Sequence, residues 1–192
     1  MALKEILETI QKKILENSSS DRRIEYFRRQ GMKIGRNCHF ETMSFSTEPY
    51  LVEIGDHVAI AYGTDFITHD GGLWCFREEL INGDIFGKIK IGNNVFVGSN
   101  CTILPNTIIG NNCIVGAGSV VRGRFPDNSV ILGNPAEVLL KMNMQKLLYR
   151  QNPGFLETNN LLLAMIFSII LELILIQSSG IQSSSRILGL AV

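Results

Sequence analysis

The feature that most limits what this chain can fold into is an interval. From Ile91 onward a bulky aliphatic residue returns every six positions, at Ile91, Val97, Ile103, Ile109, Val115 and Val121. Four positions after each of the first five stands a slim residue: Val95, Cys101, Thr107, Cys113 and Ser119. Glycine often follows the bulky position, as at Gly92, Gly98, Gly110 and Gly116. Upstream, Ile54, Ile60 and Phe66 keep the phase, with Val58 and Thr64 as slim partners. Ile34 with Cys38 and Phe40 with Ser44 make a weaker opening, and the 14-residue step from Phe40 to Ile54 marks one irregular unit.

A period of six matches neither the 3.6 of a helix nor the two of a half-buried strand. It matches a short strand and a turn repeated three times per coil, with the bulky residue on the axis and the slim one in the corner. Gly55, Asn93, Asn94, Asn111 and Asn112 supply turn conformations that β-branched residues resist. Coils bury one another's faces, so stability is a sum over neighbours. The spacing predicts an all-β chain of one repeat domain with attachments: N-terminal helices over 1–31, the coil over 32–134 with an inserted loop at 70–88, a helix over 135–150, and a linker with an apolar extension over 151–192. Apolar positions Leu3, Ile6, Leu7, Ile10 and Ile14 predict a helix over 3–15, and a second is expected over 21–30, capped by Ser20 and ended by Gly31. Both are expected to cover the open first coil. A further helix is read over 137–150, with Pro135 near its start.

Eighteen basic and eighteen acidic residues cancel, which argues against a partner recognised through its phosphate backbone, such as nucleic acid. The four cysteines form no CxxC pair or Cys/His cluster, so no metal is expected. Cys38, Cys101 and Cys113 fall on slim inward positions and read as core filler, and Cys75 is given no chemical role. The opening Met1-Ala2-Leu3-Lys4-Glu5 lacks the basic-then-apolar order of a secretion signal, which predicts a cytoplasmic location with free thiols.

The repeat stops after Phe66 and resumes near Ile89. In between lie Thr68-His69-Asp70-Gly71-Gly72-Leu73-Trp74-Cys75-Phe76-Arg77 and a charged stretch. An insertion in a rigid repeat projects outward, where function concentrates. Trp74 offers an apolar face and Arg77 a donor for a polar, ring-shaped substrate. His39 and His57 read as surface histidines.

Over roughly residues 34–141 the repeat resembles that of the hexapeptide-repeat acyltransferases. The resemblance implies a left-handed parallel β-helix flanked by α-helices, an exception to the right-handed crossover preference. The run Phe66-Ile67-Thr68-His69-Asp70-Gly71-Gly72, with Trp74, Phe76 and Arg77, is similar to the branch that O-acetylates sugars and surface polysaccharides, and implies His69 as the catalytic base. Histidine titrates near neutrality and contributes on the order of 10²–10⁴-fold in that role. Its second ring nitrogen needs an acceptor: Asp70, Asp65 or a backbone carbonyl. Turn N–H groups are candidates for stabilising the oxyanion.

The resemblance also implies a homotrimer with acetyl-CoA, the acyl donor, along a groove between neighbouring subunits. Val95-Phe96-Val97-Gly98-Ser99 matches one signature, with Phe96 where the family usually has tryptophan and Ser99 at an expected pantetheine contact. Val115-Gly116-Ala117-Gly118-Ser119-Val120-Val121 matches a second, with the Ala117 backbone on the pantetheine arm. Gly133-Asn134-Pro135-Ala136 matches the tail signature. Arg122-Gly123 stand where threonine and lysine are usual, and Glu137 and Leu140 where basic residues are common. Arg122, Arg124 and Lys141 are the candidates for the coenzyme phosphates.

The expected activity is acetyl transfer from acetyl-CoA to a hydroxyl of a sugar, in a surface polysaccharide or its precursor. The alternatives are a small acceptor of xenobiotic or serine type, and a non-catalytic scaffold or binding protein. A β-helical carbonic anhydrase needs three histidines around a metal, whereas His39, His57 and His69 stand at different offsets in their units. Residues 161–176 are almost pure hydrocarbon broken by Glu172. As a helix they span ~24 Å against a ~30 Å membrane core. A helix buried against the trimer, a membrane contact and an unstructured extension are the three readings.

Overall fold

Three short strands make one turn of a coil, and successive turns stack strand upon strand. The computed structural model describes residues 9–11 and 13–154. They fall into two units. The first, to Leu148, holds the coil and its insertion; the described part of the second is residues 149–154. The chain runs from a five-stranded sheet (Ile89–Ile91) to a six-stranded sheet (Val95–Val97) to a three-stranded sheet (Thr102–Ile103), then re-enters the first at Ile108–Ile109. Within the coil every strand pair is parallel.

The register reproduces the interval. Ile91 lies opposite Ile109, Val97 opposite Val115 and Ile103 opposite Val121, each 18 positions on. Those six side chains are at most 1 % exposed, and the slim partners from Val95 to Ser119 at most 2 %. The buried polar ones among the slim residues are satisfied by the next coil. Thr64 Oγ1 donates to Gly98 O (2.8 Å), Cys101 Sγ to Gly116 O (3.2 Å) and Thr107 Oγ1 to Val121 O (3.0 Å). Burial pushes the thiols of Cys38, Cys101 and Cys113 up.

The corner between the five- and six-stranded sheets carries two polar ladders. In one, each backbone N–H donates to a side chain of the following coil: Arg36 to Asp56, Asp56 to Asn93, Asn93 to Asn111 and Asn111 to Asp127, at 2.7–2.8 Å. In the other, His57 Nδ1 meets Asn94 Oδ1, Asn94 donates to Asn112 and Asn112 to Asn128. These four residues have φ between 53° and 61°, a left-handed conformation asparagine tolerates well. At Gly92 a Cβ would lie 2.6 Å from Gly110 O, so the coils approach too closely there for any side chain.

The first coil is closed by the helix Ser20–Arg29. Its N-cap is Ser19, one residue before the expected Ser20, and Ser20 Oγ instead accepts the N–H of Phe40 (2.8 Å). Arg23 Nη1 donates to Phe40 O (2.7 Å), so two side chains satisfy an edge residue that has no strand below it. Arg23 also caps carbonyls of Leu15 and Glu16, at the end of a stretch helical over 9–11 and 13–16. Phe27, Phe40, Phe45 and Phe66 fill the axis at this end.

The far end differs from expectation. Residues Ala136–Lys141 form a strand antiparallel to Ser129–Gly133, and helix begins only at Met142–Gln151. The last coil leaves a sheet edge, and pairing it outweighs the helical spacing of the local apolar residues. The expected localisation, cytoplasmic with a membrane contact through 161–176, is withdrawn. Among the described residues no helix is long and apolar enough to cross a membrane. The helices Ser20–Arg29 and Met142–Gln151 have 10 residues each, ~15 Å of a ~30 Å core. Residues 161–176 lie outside the described residues.

Candidate active site

The insertion leaves the three-stranded sheet after Phe66 and enters the five-stranded sheet at Ile89. It does so without disturbing the stack: Ile54 faces Ile91, Ile60 faces Val97 and Phe66 faces Ile103, each 37 positions apart. Its stem is an antiparallel pair, His69–Asp70 with Ile85–Phe86, and Gly87 N–H donates to Thr68 O (2.7 Å) where the two ends meet the coil. Beyond the stem, Gly71–Phe76 form a 3-10 helix.

Each expected insertion residue can be placed. Asp70 caps that 3-10 helix, its Oδ1 accepting Gly72 N–H (2.9 Å), and does not meet the imidazole. Arg77 clasps the insertion to itself, donating to Gly83 O (2.6 Å) and Asp84 Oδ1 (2.7 Å). Trp74 is 80 % exposed, with Phe76, Ile81, Ile85 and Phe86 also in the open.

His69 sits at the base of the stem, and its partner is Glu48. The segment carrying Glu48 runs beside the insertion's root, because Phe66 N–H donates to Ser44 O and Thr68 N–H to Ser46 Oγ. Glu48 Oε2 lies 3.2 Å from His69 Nδ1, accepts Thr68 Oγ1 at 2.7 Å, and accepts Ser46 Oγ at 3.3 Å. The Thr47 hydroxyl donates to the other oxygen. Burial by itself raises the Glu48 carboxyl, but hydrogen bonds from Thr47, Thr68 and His69, with the charge of His69, outweigh it and hold the group at about 2. Glu48 stands inside the irregular step from Phe40 to Ile54. A carboxylate within the hydroxyl-rich run Ser44-Phe45-Ser46-Thr47-Glu48 was the signal available in the sequence.

The coenzyme candidates lie elsewhere on the coil. Phe96, half exposed, stands on the outer face of the six-stranded sheet between Ala59 and Ile114, beside a shallow groove lined also by His57, Asn94 and Met142. Ser99 and Ala117 occupy equivalent turns one coil apart, joined by Gly118 N–H to Ser99 O (2.9 Å). Gly98 packs directly under Ala117, whose N would be 2.6 Å from a Cβ there. Arg122, Arg124 and Lys141 are exposed. Ser99 and Ala117 mark the corner between the six- and three-stranded sheets, whereas His69 marks the corner between the three- and five-stranded sheets. Within one chain they stand at opposite sides of the short sheet.

Among the described residues no group of three or more His, Cys, Asp or Glu side chains is gathered to hold a metal ion. His39, His57 and His69 engage Glu41, Asn94 and Glu48 separately.

Comparison with known proteins agrees with the repeat. A family profile, bacterial transferase hexapeptide (six repeats), matches residues 88–123. Protein CapG of Staphylococcus aureus is 42 % identical over 151 residues, which cover 77 % of this chain and 86 % of CapG. WbbJ of Escherichia coli K12, named as a lipopolysaccharide biosynthesis O-acetyl transferase, is 49 % identical over 108 residues, 52 % of this chain and 55 % of WbbJ. This chain therefore spans about half of that relative. The crystal structure of the hexapeptide-repeat containing acetyltransferase VCA0836 from Vibrio cholerae has a TM-score of 0.54 at 23 % identity, covering 70 % of this chain and 89 % of that one, a likeness of fold. With the six-residue register visible from Ile89 to Phe125 and a relative matched over most of its length, the chain belongs to the hexapeptide-repeat acyltransferase family.

Proposed function

We propose that the protein transfers the acetyl group of acetyl-CoA to a hydroxyl of a sugar in a surface polysaccharide or its precursor. The acceptor oxygen attacks the thioester carbonyl carbon while His69 takes its proton. The tetrahedral oxyanion then collapses, the C–S bond breaks, and the imidazolium returns the proton to the departing thiolate. The products are the sugar ester and the free thiol of coenzyme A. Holding both reactants in line supplies much of the acceleration.

The observation that carries this reading is His69 itself. It is the one histidine on the insertion, at the root of an exposed aromatic surface suited to a sugar ring, and its Nδ1 is engaged while the ring remains accessible. WbbJ, half of whose length is matched, is named for O-acetyl transfer in lipopolysaccharide biosynthesis, which supports the acceptor class. The proposal includes a left-handed coil and a homotrimer. The separation of His69 from Ser99 and Ala117 within one chain supports the trimer, because a neighbouring copy brings one corner against the other. The coenzyme then lies between subunits, with Phe96, Ser99 and Ala117 along the pantetheine and Arg122 near the phosphates. Trp74 supplies the acceptor's apolar floor.

The test is release of free thiol from acetyl-CoA in the presence of a panel of methyl glycosides, with light scattering for the oligomer. Turnover is expected with at least one glycoside and is expected to fall at least roughly 10²-fold in His69→Ala. Unchanged turnover in that variant removes His69 as the base, and no turnover with any glycoside removes the sugar acceptor.

A further inference from the structure

We propose that Glu48 is a positioning residue for the base: it accepts the Nδ1–H of His69 and thereby leaves Nε2 as the nitrogen that receives the acceptor's proton. This rests on the reading of His69 as the base.

The argument is one of hydrogen-bond direction. Nδ1 has two polar neighbours, Glu48 Oε2 at 3.2 Å and Ser46 Oγ at 3.3 Å. An ionised carboxylate can only accept. Ser46 directs its own hydrogen to Glu48 Oε2 at 3.3 Å, so toward Nδ1 it presents a lone pair. Both neighbours therefore require a proton on Nδ1, and the neutral ring carries its free lone pair on Nε2. The carboxylate is held in that role. Its side chain is 15 % exposed against 45 % for His69, and Thr68, which is fully buried, fixes Oε2 at 2.7 Å. Hydrogen bonds from Thr47 and Thr68 favour the ionised form of Glu48, and the carboxylate stabilises the imidazolium formed when the acceptor's proton arrives. Asp70, adjacent in sequence, is committed to Gly72 N–H. Glu48 faces Nδ1 and not the free Nε2, so its effect is assigned to pass through His69.

The experiment combines ¹⁵N NMR of histidine-labelled protein with kinetics of Glu48→Gln, Glu48→Asp and Thr68→Val, using acetyl-CoA and the methyl glycoside the wild type acetylates fastest. Neutral His69 is expected as the Nδ1–H tautomer in the wild type and as a mixture in Glu48→Gln. Glu48→Gln is expected to lower kcat roughly 10- to 100-fold, part of what a general base contributes, with the KM for acetyl-CoA unchanged. Glu48→Asp recovers part of that loss, and Thr68→Val, which removes only the hydroxyl on Oε2, gives a smaller loss of the same kind. In a His69→Ala background Glu48→Gln costs nothing further. A wild-type Nε2–H tautomer overturns the inference without any variant, as does a Glu48→Gln enzyme within about threefold of wild type while His69→Ala is inactive. Full turnover in His69→Ala instead overturns the base assignment beneath it.

Discussion

Replacing Arg23 with methionine tests whether side chains stand in for the missing strand at the open end of the coil. Arg23 is 7 % exposed, and its guanidinium serves three carbonyls: Phe40 O at 2.7 Å, Glu16 O at 2.8 Å and Leu15 O at 3.2 Å, with Glu41 Oε2 at 3.3 Å. Methionine keeps the apolar stem and removes every donor. The Phe40 carbonyl bond is buried, and a buried acceptor that loses a charged donor costs about 2–3 kcal/mol. The two helix-end carbonyls are partly exposed and can turn to water, so together they add about 1–2 kcal/mol. The expected loss is about 3–5 kcal/mol, a large share of the ~5–15 kcal/mol by which domains are stable. Urea unfolding followed by far-UV circular dichroism at fixed protein concentration measures it. Arg23→Lys restores a single donor but not the fork and is expected to recover only part. Amide exchange at Phe40, whose N–H is held by Ser20, accelerates more than at Ile109 in the middle of the stack. A loss under about 1 kcal/mol in Arg23→Met, with Phe40 exchange unchanged, would falsify the edge-closing role.

Two further outcomes follow from titratable groups. The folded carboxyl of Glu48 lies at about 2 against an ordinary 4.5, so its stabilisation is fully present above pH 4.5 and disappears as pH falls through about 2. The difference in unfolding free energy between wild type and Glu48→Gln is expected to shrink over that window; a pH-independent difference refutes it. Of the four cysteines only Cys75 is exposed, whereas burial raises the thiols of the other three. A disulfide reagent at neutral pH should therefore titrate one thiol quickly and four after denaturation, and fast reaction of Cys101 or Cys113 contradicts the inward placement.

The coil was legible because its geometry repeats: the same axial and corner positions recur in each turn, so six bulky residues in phase leave little choice of packing. What lay outside the repeat was not. The strand Ala136–Lys141 escaped because local spacing cannot register an unpaired edge created by the last coil. Asp70 is one of the acceptors the sequence offers His69. Yet neighbouring residues on a strand point to opposite sides, and Asp70 turns to Gly72. Glu48 was missed because its contact with His69 depends on the irregular segment folding back beside Thr68, a long-range juxtaposition no local pattern encodes.

The insertion adds 19 residues to one turn of 18, yet the stacked partners on either side meet as though it were absent. The stacking register of the coil is thus indifferent to the protrusion's length. A protrusion of another length or chemistry can be grafted onto the same stem without re-indexing the coil.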